Sequence, residues 1–239
     1  MVTQPKMNGV ECVSLGLTLK SQDVPRGCAQ TDVRTVPGRA YADLTYRPGG
    51  YARRGPMTAK LVFWAGRGDE AAEAGVRAAM AWDGQEVEYT PADFGGISYM
   101  GVAAVSVTSR TPNRAEVTVT LTADPVAYGE AKSVQLASGY NALQVGGNWP
   151  TRPVFRLTAA TAAGVPGVVL TGSGRSLSLT AAPGEGVSAV LDCEARTATV
   201  AGQASRVTMA SDWLELPPGK CAVQLASCTG TLEYRERWA

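Results

Sequence analysis

The sequence predicts a mainly β protein with two domains and one helix. Three observations carry this. Pro-Gly pairs fall at Pro37-Gly38, Pro48-Gly49, Pro166-Gly167, Pro183-Gly184 and Pro218-Gly219. Proline presets the second position of a turn and glycine accepts the positive φ of a type II third position. Short apolar runs lie between these turns, with β-branched residues in alternation. A single alanine- and glutamate-rich stretch breaks the pattern.

That stretch runs from Asp69 to Trp82 (DEAAEAGVRAAMAW). Its composition favours helix. Asp69 is placed to cap it, with Glu70 and Glu73 near the positive end of the dipole. Ala72, Val76, Ala79 and Met80 fall on one face, expected to lie on a sheet, and Gly84 follows as a stop. Before it, Ala59 to Ala65 reads as a strand. After it, Tyr99 to Thr108 and Ala115 to Ala123 form a hairpin around Thr111-Pro112-Asn113-Arg114. In its second strand Val117, Val119 and Leu121 face one side and Thr118, Thr120 and Thr122 the other.

Periodicity fades from Val126 to about Tyr140, so the domain boundary is placed there, giving domains of residues 1–130 and 131–239. The second half offers seven short strands: Val154–Ala159, Gly167–Thr171, Ser176–Thr180, Ser188–Asp192, Thr197–Ala201, Ala222–Ala226 and Thr231–Arg237. That number of short strands with turns between them suggests a two-sheet sandwich. Asp192 to Thr197 reads as a tight hairpin, and Gly172-Ser173-Gly174 as a hairpin turn.

Composition narrows the function classes. The 239 residues hold 22 Lys+Arg, 21 Asp+Glu and no histidine, a net charge of +1. A near-neutral chain sets up no global field for nucleic acid or acidic lipid. Without histidine there is no imidazole base and no imidazole metal ligand. The five cysteines, Cys12, Cys28, Cys193, Cys221 and Cys228, show no C-x-x-C spacing and are expected to be reduced, mostly buried thiols. The N-terminal residues lack the pattern of a secretory leader and no run is apolar enough to span a bilayer, so folding in a cytosol is expected.

No nucleophile elbow, S-x-x-K or phosphate loop is present. Asp93, Asp124, Asp192 and Asp212 are scattered carboxylates with no pair to nominate for glycoside hydrolysis. Gly66-Arg67-Gly68 precedes the helix and reads as a capping segment rather than an anion site. Arg47, Arg53 and Arg54 lie near Tyr46 and Tyr51, a mixture that suits a solvated loop or subunit contact better than nucleic acid. No catalytic residue, cofactor or metal ligand is assigned.

Several short motifs then converge in order along the chain. They are Asn8-Gly9-Val10, Leu15-Gly16-Leu17, Val36-Pro37-Gly38-Arg39 with Tyr51, and Asp124-Pro125-Val126-Ala127-Tyr128. In the second half come Gly147-Asn148-Trp149-Pro150-Thr151-Arg152-Pro153, Leu191-Asp192-Cys193, Leu216-Pro217-Pro218-Gly219-Lys220 and Tyr234-Arg235-Glu236-Arg237-Trp238. Together they resemble the siphophage distal tail proteins, with departures at Ala40-Tyr41-Ala42 and Lys220.

The resemblance implies an N-terminal split-barrel, tail-tube-like domain with one helix and a C-terminal galectin-like β-sandwich. It implies a structural virion protein at the tail tip, assembled in the host bacterial cytoplasm. Six copies would close a ring, a hub joining the tail tube protein to the tail-associated hub protein and to receptor-binding or baseplate proteins. Neither a membrane nor a sequence-specific nucleic acid is implied as partner, though DNA would pass through the ring channel. Val36, Pro37, Gly38, Arg39, Tyr46, Arg47, Tyr51, Arg53 and Arg54 are conspicuous without a chemical role and become the candidate subunit contacts. The alternative is a glycan- or host-surface-binding sandwich module. The sugar site of galectins contains a histidine that this chain lacks, and Trp149 reads as packing at the domain start.

Overall fold

The computed structural model describes residues 4–24, 33–34, 42–43, 56–92 and 96–239. The chain divides into two compact units, one ending at Tyr128 and the other running from Gly129 to Trp238.

The first unit contains β1 (Lys6–Met7), β2 (Val10–Glu11), a 3-10 turn (Cys12–Leu15), β3 (Leu17–Asp23), β4 (Val33–Arg34), β5 (Ala42–Asp43), β6 (Met57–Ala65), α1 (Asp69–Met80), β7 (Glu86–Thr90), β8 (Tyr99–Thr111) and β9 (Arg114–Ala123). Seven strands form one antiparallel sheet in the order β2-β1-β7-β8-β9-β6-β3, while β4 and β5 pair with each other. Register follows the alternation of apolar side chains. Ala59, Leu61 and Phe63 on β6 sit opposite Leu121, Val119 and Val117 on β9, all of them buried. Sliding this pairing by one residue would turn that whole set to the outer face.

The sheet curls strongly. Tyr89 on β7 donates its hydroxyl hydrogen to Gln22 Oε1 on β3 at 2.5 Å, across three intervening strands. Such a contact cannot form on an open, gently twisted sheet, and it fits the split-barrel expectation. Asn8 and Gly9 adopt φ of 52° and 77° in the β1–β2 turn, as a two-residue hairpin with matching twist requires. Asn8 also binds β7 twice, through its N–H to Glu88 O (2.8 Å) and by accepting the Glu88 N–H on Oδ1 (2.8 Å).

The helix lies where the sequence places it, but two details differ. The residue before it is Gly68 with φ of 97°, so the cap position carries no side-chain hydrogen bond, and Asp69 is the first helical residue. The buried stripe is Ala72, Gly75 and Ala79; Val76 is only partly buried and Met80 is 44% exposed. Close approach explains the rotation. A Cβ at Gly75 would stand 3.0 Å from Ala65 Cβ and 3.2 Å from Gly16 O, so only the smallest side chains fit beneath the helix. At Gly66 a Cβ would come within 2.3 Å of the Ala71 carbonyl carbon, and φ there is +54°.

The chain enters the second unit through β10 (Ala127–Leu136). There follow β11 (Gly139–Val145), β12 (Val154–Ala159), β13 (Gly167–Leu170), β14 (Arg175–Ser178), β15 (Ser188–Asp192), β16 (Thr197–Val200), β17 (Gln203–Ser205), β18 (Gly219–Ala226) and β19 (Cys228–Trp238). A six-stranded sheet, β10-β19-β12-β15-β16-β17, faces a four-stranded one, β11-β18-β13-β14. Phe155, Leu157, Leu191 and Leu232 from the first meet Val168, Leu177, Val223 and Leu225 from the second in one buried cluster. This is a sandwich of the kind the galectin-like expectation requires.

All seven expected strands are present, and three more were missed: β10, β11 and β17. Strand β10 reads AYGEAKSVQL, with its middle exposed at the rim of the six-stranded sheet. An edge strand keeps charge on itself to deter further pairing, so it carries no apolar alternation to read.

Two glycines give contrasting tests. Gly66→Ala is expected to lower unfolding free energy by about 2–3 kcal/mol through collision with the helix backbone. Gly9→Ala has φ of +77° but open space, so only the left-handed strain of about 1 kcal/mol should appear. Chemical denaturation of the two variants checks the difference.

Candidate functional site

Among the described residues, several groups able to carry chemistry are engaged in holding the fold. Among the described residues no group of three or more Cys, Asp or Glu could hold a metal ion. Cys12, Cys193 and Cys228 are buried free thiols and Cys221 is half-buried. Burial pushes the Cys12 thiol up to about 11 and that of Cys193 to about 12, so neither is a nucleophile near neutral pH. Asp192 Oδ1 accepts the N–H groups of Glu194 and Ala195, both at 2.9 Å, and thereby shapes the hairpin. Asp124 Oδ2 accepts the Tyr128 hydroxyl at 2.7 Å. Cys28 and Asp93 lie outside the described residues. No helix among the described residues is long and apolar enough to cross a membrane.

The motifs of the second unit, scattered over ninety positions of sequence, meet in space. Asn148 and Trp149 donate their N–H groups to Arg237 O at 3.0 and 3.1 Å. A Cβ at Gly147 would lie 2.3 Å from that same oxygen, which accounts for the glycine. Thr151 exchanges backbone hydrogen bonds with Leu216 (3.0 and 2.8 Å), and its hydroxyl donates to Arg235 O at 2.6 Å. Cys193 N–H donates to Pro153 O at 3.0 Å.

Side-chain charge closes the assembly. Arg152 Nε donates to Glu215 at 2.9 Å and its Nη1 to Glu194 at 3.4 Å. The other oxygen of Glu194 takes a hydrogen bond from Arg237, whose side chain is nearly buried. Glu236 accepts from Lys132 and from the Gly146 N–H, the latter at 3.1 Å. Trp149 is half-buried at this junction, as expected of a packing residue. The cluster is therefore a structural clasp on the last strand.

The nine candidate subunit contacts, Val36, Pro37, Gly38, Arg39, Tyr46, Arg47, Tyr51, Arg53 and Arg54, all lie outside the described residues. A different surface stands out in the first unit. Strand β7 pairs with β8 only over Tyr99–Val102. Farther along, Val105 N–H bonds the Asp83 side chain at 2.8 Å. From Ser106 to Thr111 no described strand lies on that side of β8, and every residue there is exposed. Val107 is 42% exposed on this stretch. An open strand edge invites pairing with another chain. Apolar alternation alone could not reveal it, because alternation reports a face and not an edge.

Comparison with known proteins gives this architecture a class. Residues 146–238 match the family model of the siphovirus-type tail component, C-terminal domain. That match takes in most of the second unit, whose sequence is therefore similar to that of phage tail components. Over the whole chain, the fold is similar to the crystal structure of SPP1 Dit (gp 19.1), described as a paradigm of hub adsorption apparatus in Gram-positive-infecting phages. The TM-score is 0.71 at 14% identity, with 100% of each chain covered. No curated protein matches the sequence significantly. The resemblance to siphophage distal tail proteins drawn from the motifs is borne out by these two findings.

Two predictions test the described chemistry. Glu194→Ala leaves Arg237 without that carboxylate and is expected to cost about 1–3 kcal/mol, read by denaturation of the full chain. The ordinary value for a thiol here is 9.0, and both Cys12 and Cys193 are raised in the fold. Above that value the unfolded chain sheds protons that the folded chain keeps, so their contribution declines as pH rises through the folded values. Cys193→Ala is expected to flatten that decline between pH ~9 and ~11.

Proposed function

We propose that the chain is the hub of a siphovirus tail tip, a structural part of the virion assembled in the host cytoplasm. Six copies form a closed ring through the first unit. The ring joins the tail tube protein to the tail-associated hub protein and to receptor-binding or baseplate proteins. The observation that carries this reading is the family match of the second unit, supported by the full-length likeness to a phage hub protein.

The first unit supplies a physical means. A ring of identical subunits needs a heterologous contact whose rotation closes. In our reading the open length of β8, Ser106–Thr111, is one half of that contact. The segment from Val36 to Arg54 adds further contacts, through Arg39 and Arg53 in particular. The near balance of 22 basic and 21 acidic residues suits a part that packs against copies of itself.

Light scattering after size exclusion tests the ring. A mass near six chains is expected once the protein is concentrated or supplied with the tail tube; a monomer under both conditions overturns the ring. Val107→Glu is expected to weaken assembly about tenfold or more, since it sets a charge on the contact. Its circular dichroism should stay unchanged because the residue is on the surface. If Arg39→Glu and Arg53→Glu both leave the oligomer intact at low concentration, the Val36–Arg54 segment has no part in it.

A further inference from the structure

The two outward faces of the second unit differ in how their polar groups are engaged. On the six-stranded sheet, Arg156 Nε is bonded to both carboxylate oxygens of Glu233 at 2.9 Å, and Thr231 donates to Gln135 at 3.3 Å. Those groups satisfy one another. On the four-stranded sheet they do not.

Strand register builds the second face. Ala142 on β11 sits opposite Ala222 on β18, and Gln144 sits opposite Lys220. The two small side chains leave a shallow depression, walled by Tyr140, Gln144, Lys220 and Thr171. Ala222 forms its floor and is buried although it points outward. Tyr140 is 66% exposed. Lys220 is the single charged residue lining the depression. Among the described residues, the Lys220 ammonium, the Tyr140 hydroxyl and the Gln144 carboxamide take no hydrogen bond or ion pair from the chain.

These groups fit one ligand chemistry. An exposed aromatic ring offers an apolar face to the flat side of a pyranose, with a polar tip beside it. A carboxamide and a hydroxyl at the rim address sugar hydroxyls, as convergent polar groups do in a mostly apolar concavity. An unpaired ammonium attracts a carboxylate or phosphate. We propose that this depression is a binding site for an acidic saccharide, a pyranose carrying a carboxylate or phosphate group. Tyr140 stacks on the sugar ring and Lys220 selects its charge. The site lies in the second unit alone and needs no ring contact.

Saturation-transfer NMR on the full-length protein tests this with three probes: glucuronic acid, glucose 1-phosphate and glucose. Saturable transfer to at least one acidic probe at ~millimolar concentration is expected, about fivefold weaker for glucose. Which acid responds identifies the substituent. Tyr140→Ala should abolish the signal, Lys220→Gln should equalise acidic and neutral sugars, and Arg156→Ala on the other face should change nothing. Absence of transfer from both acids overturns the proposal. So does equal transfer from glucose, or a signal that survives Tyr140→Ala. Because the assembly mass is read separately, a failure here is distinct from a failure of the hub reading.

Discussion

The second unit depends on how its last strand is held. β19 pairs with β12 along Cys228–Glu233 and lies beside β10 on its other side, so it is interior to the six-stranded sheet. Its final residues run past the end of β12. There the Arg237 carbonyl takes two backbone N–H groups and its guanidinium takes Glu194. A strand end without such partners would expose unpaired backbone groups and fray. The segment Gly146–Pro153 and the Asp192 hairpin are positioned against this one strand, and Leu216 is tied to it through Thr151.

The clasp is made of charge at the rim of an apolar core. Glu194 is half exposed, whereas Arg237 is nearly buried. Exposed ion pairs contribute little by themselves. The value of this set lies in satisfying a nearly buried guanidinium, which would otherwise cost far more than the pair contributes. Glu236 plays the same part for the Gly146 N–H. Geometry and not net attraction is what these residues supply.

Some of this was legible in the sequence. The β6 and β9 strands show a two-residue alternation because one face meets the core. The helix was legible from composition, but its rotation was not. Ala72, Gly75 and Ala79 face the sheet because Gly16 and Ala65 come so close, and that distance belongs to the tertiary structure. β10 escaped notice because an edge strand carries Glu130 and Lys132 where a central strand would carry valine. The motifs marked the clasp without disclosing its role. Their residue types, arginine, glutamate and tryptophan, would serve a ligand equally well, and only their mutual contacts show that they serve the fold.

A consequence follows for where interaction surfaces belong on this chain. Carboxylates and cations that find each other within the chain, such as Lys20 with Glu116 or Arg110 with Glu73, are partly neutralised and weakly available to partners. With charges so nearly balanced overall, the surfaces left over are those where pairing is incomplete. On the first unit that is a backbone edge, Ser106–Thr111, which no described strand pairs on one side and whose peptide N–H and C=O groups favour another strand. On the second it is a set of side chains around two alanines, Tyr140, Gln144 and Lys220, whose unmet groups differ from one another and therefore favour a small polar ligand. Repetition of one group along a line selects a polymer backbone. Diversity of groups around a point selects a molecule.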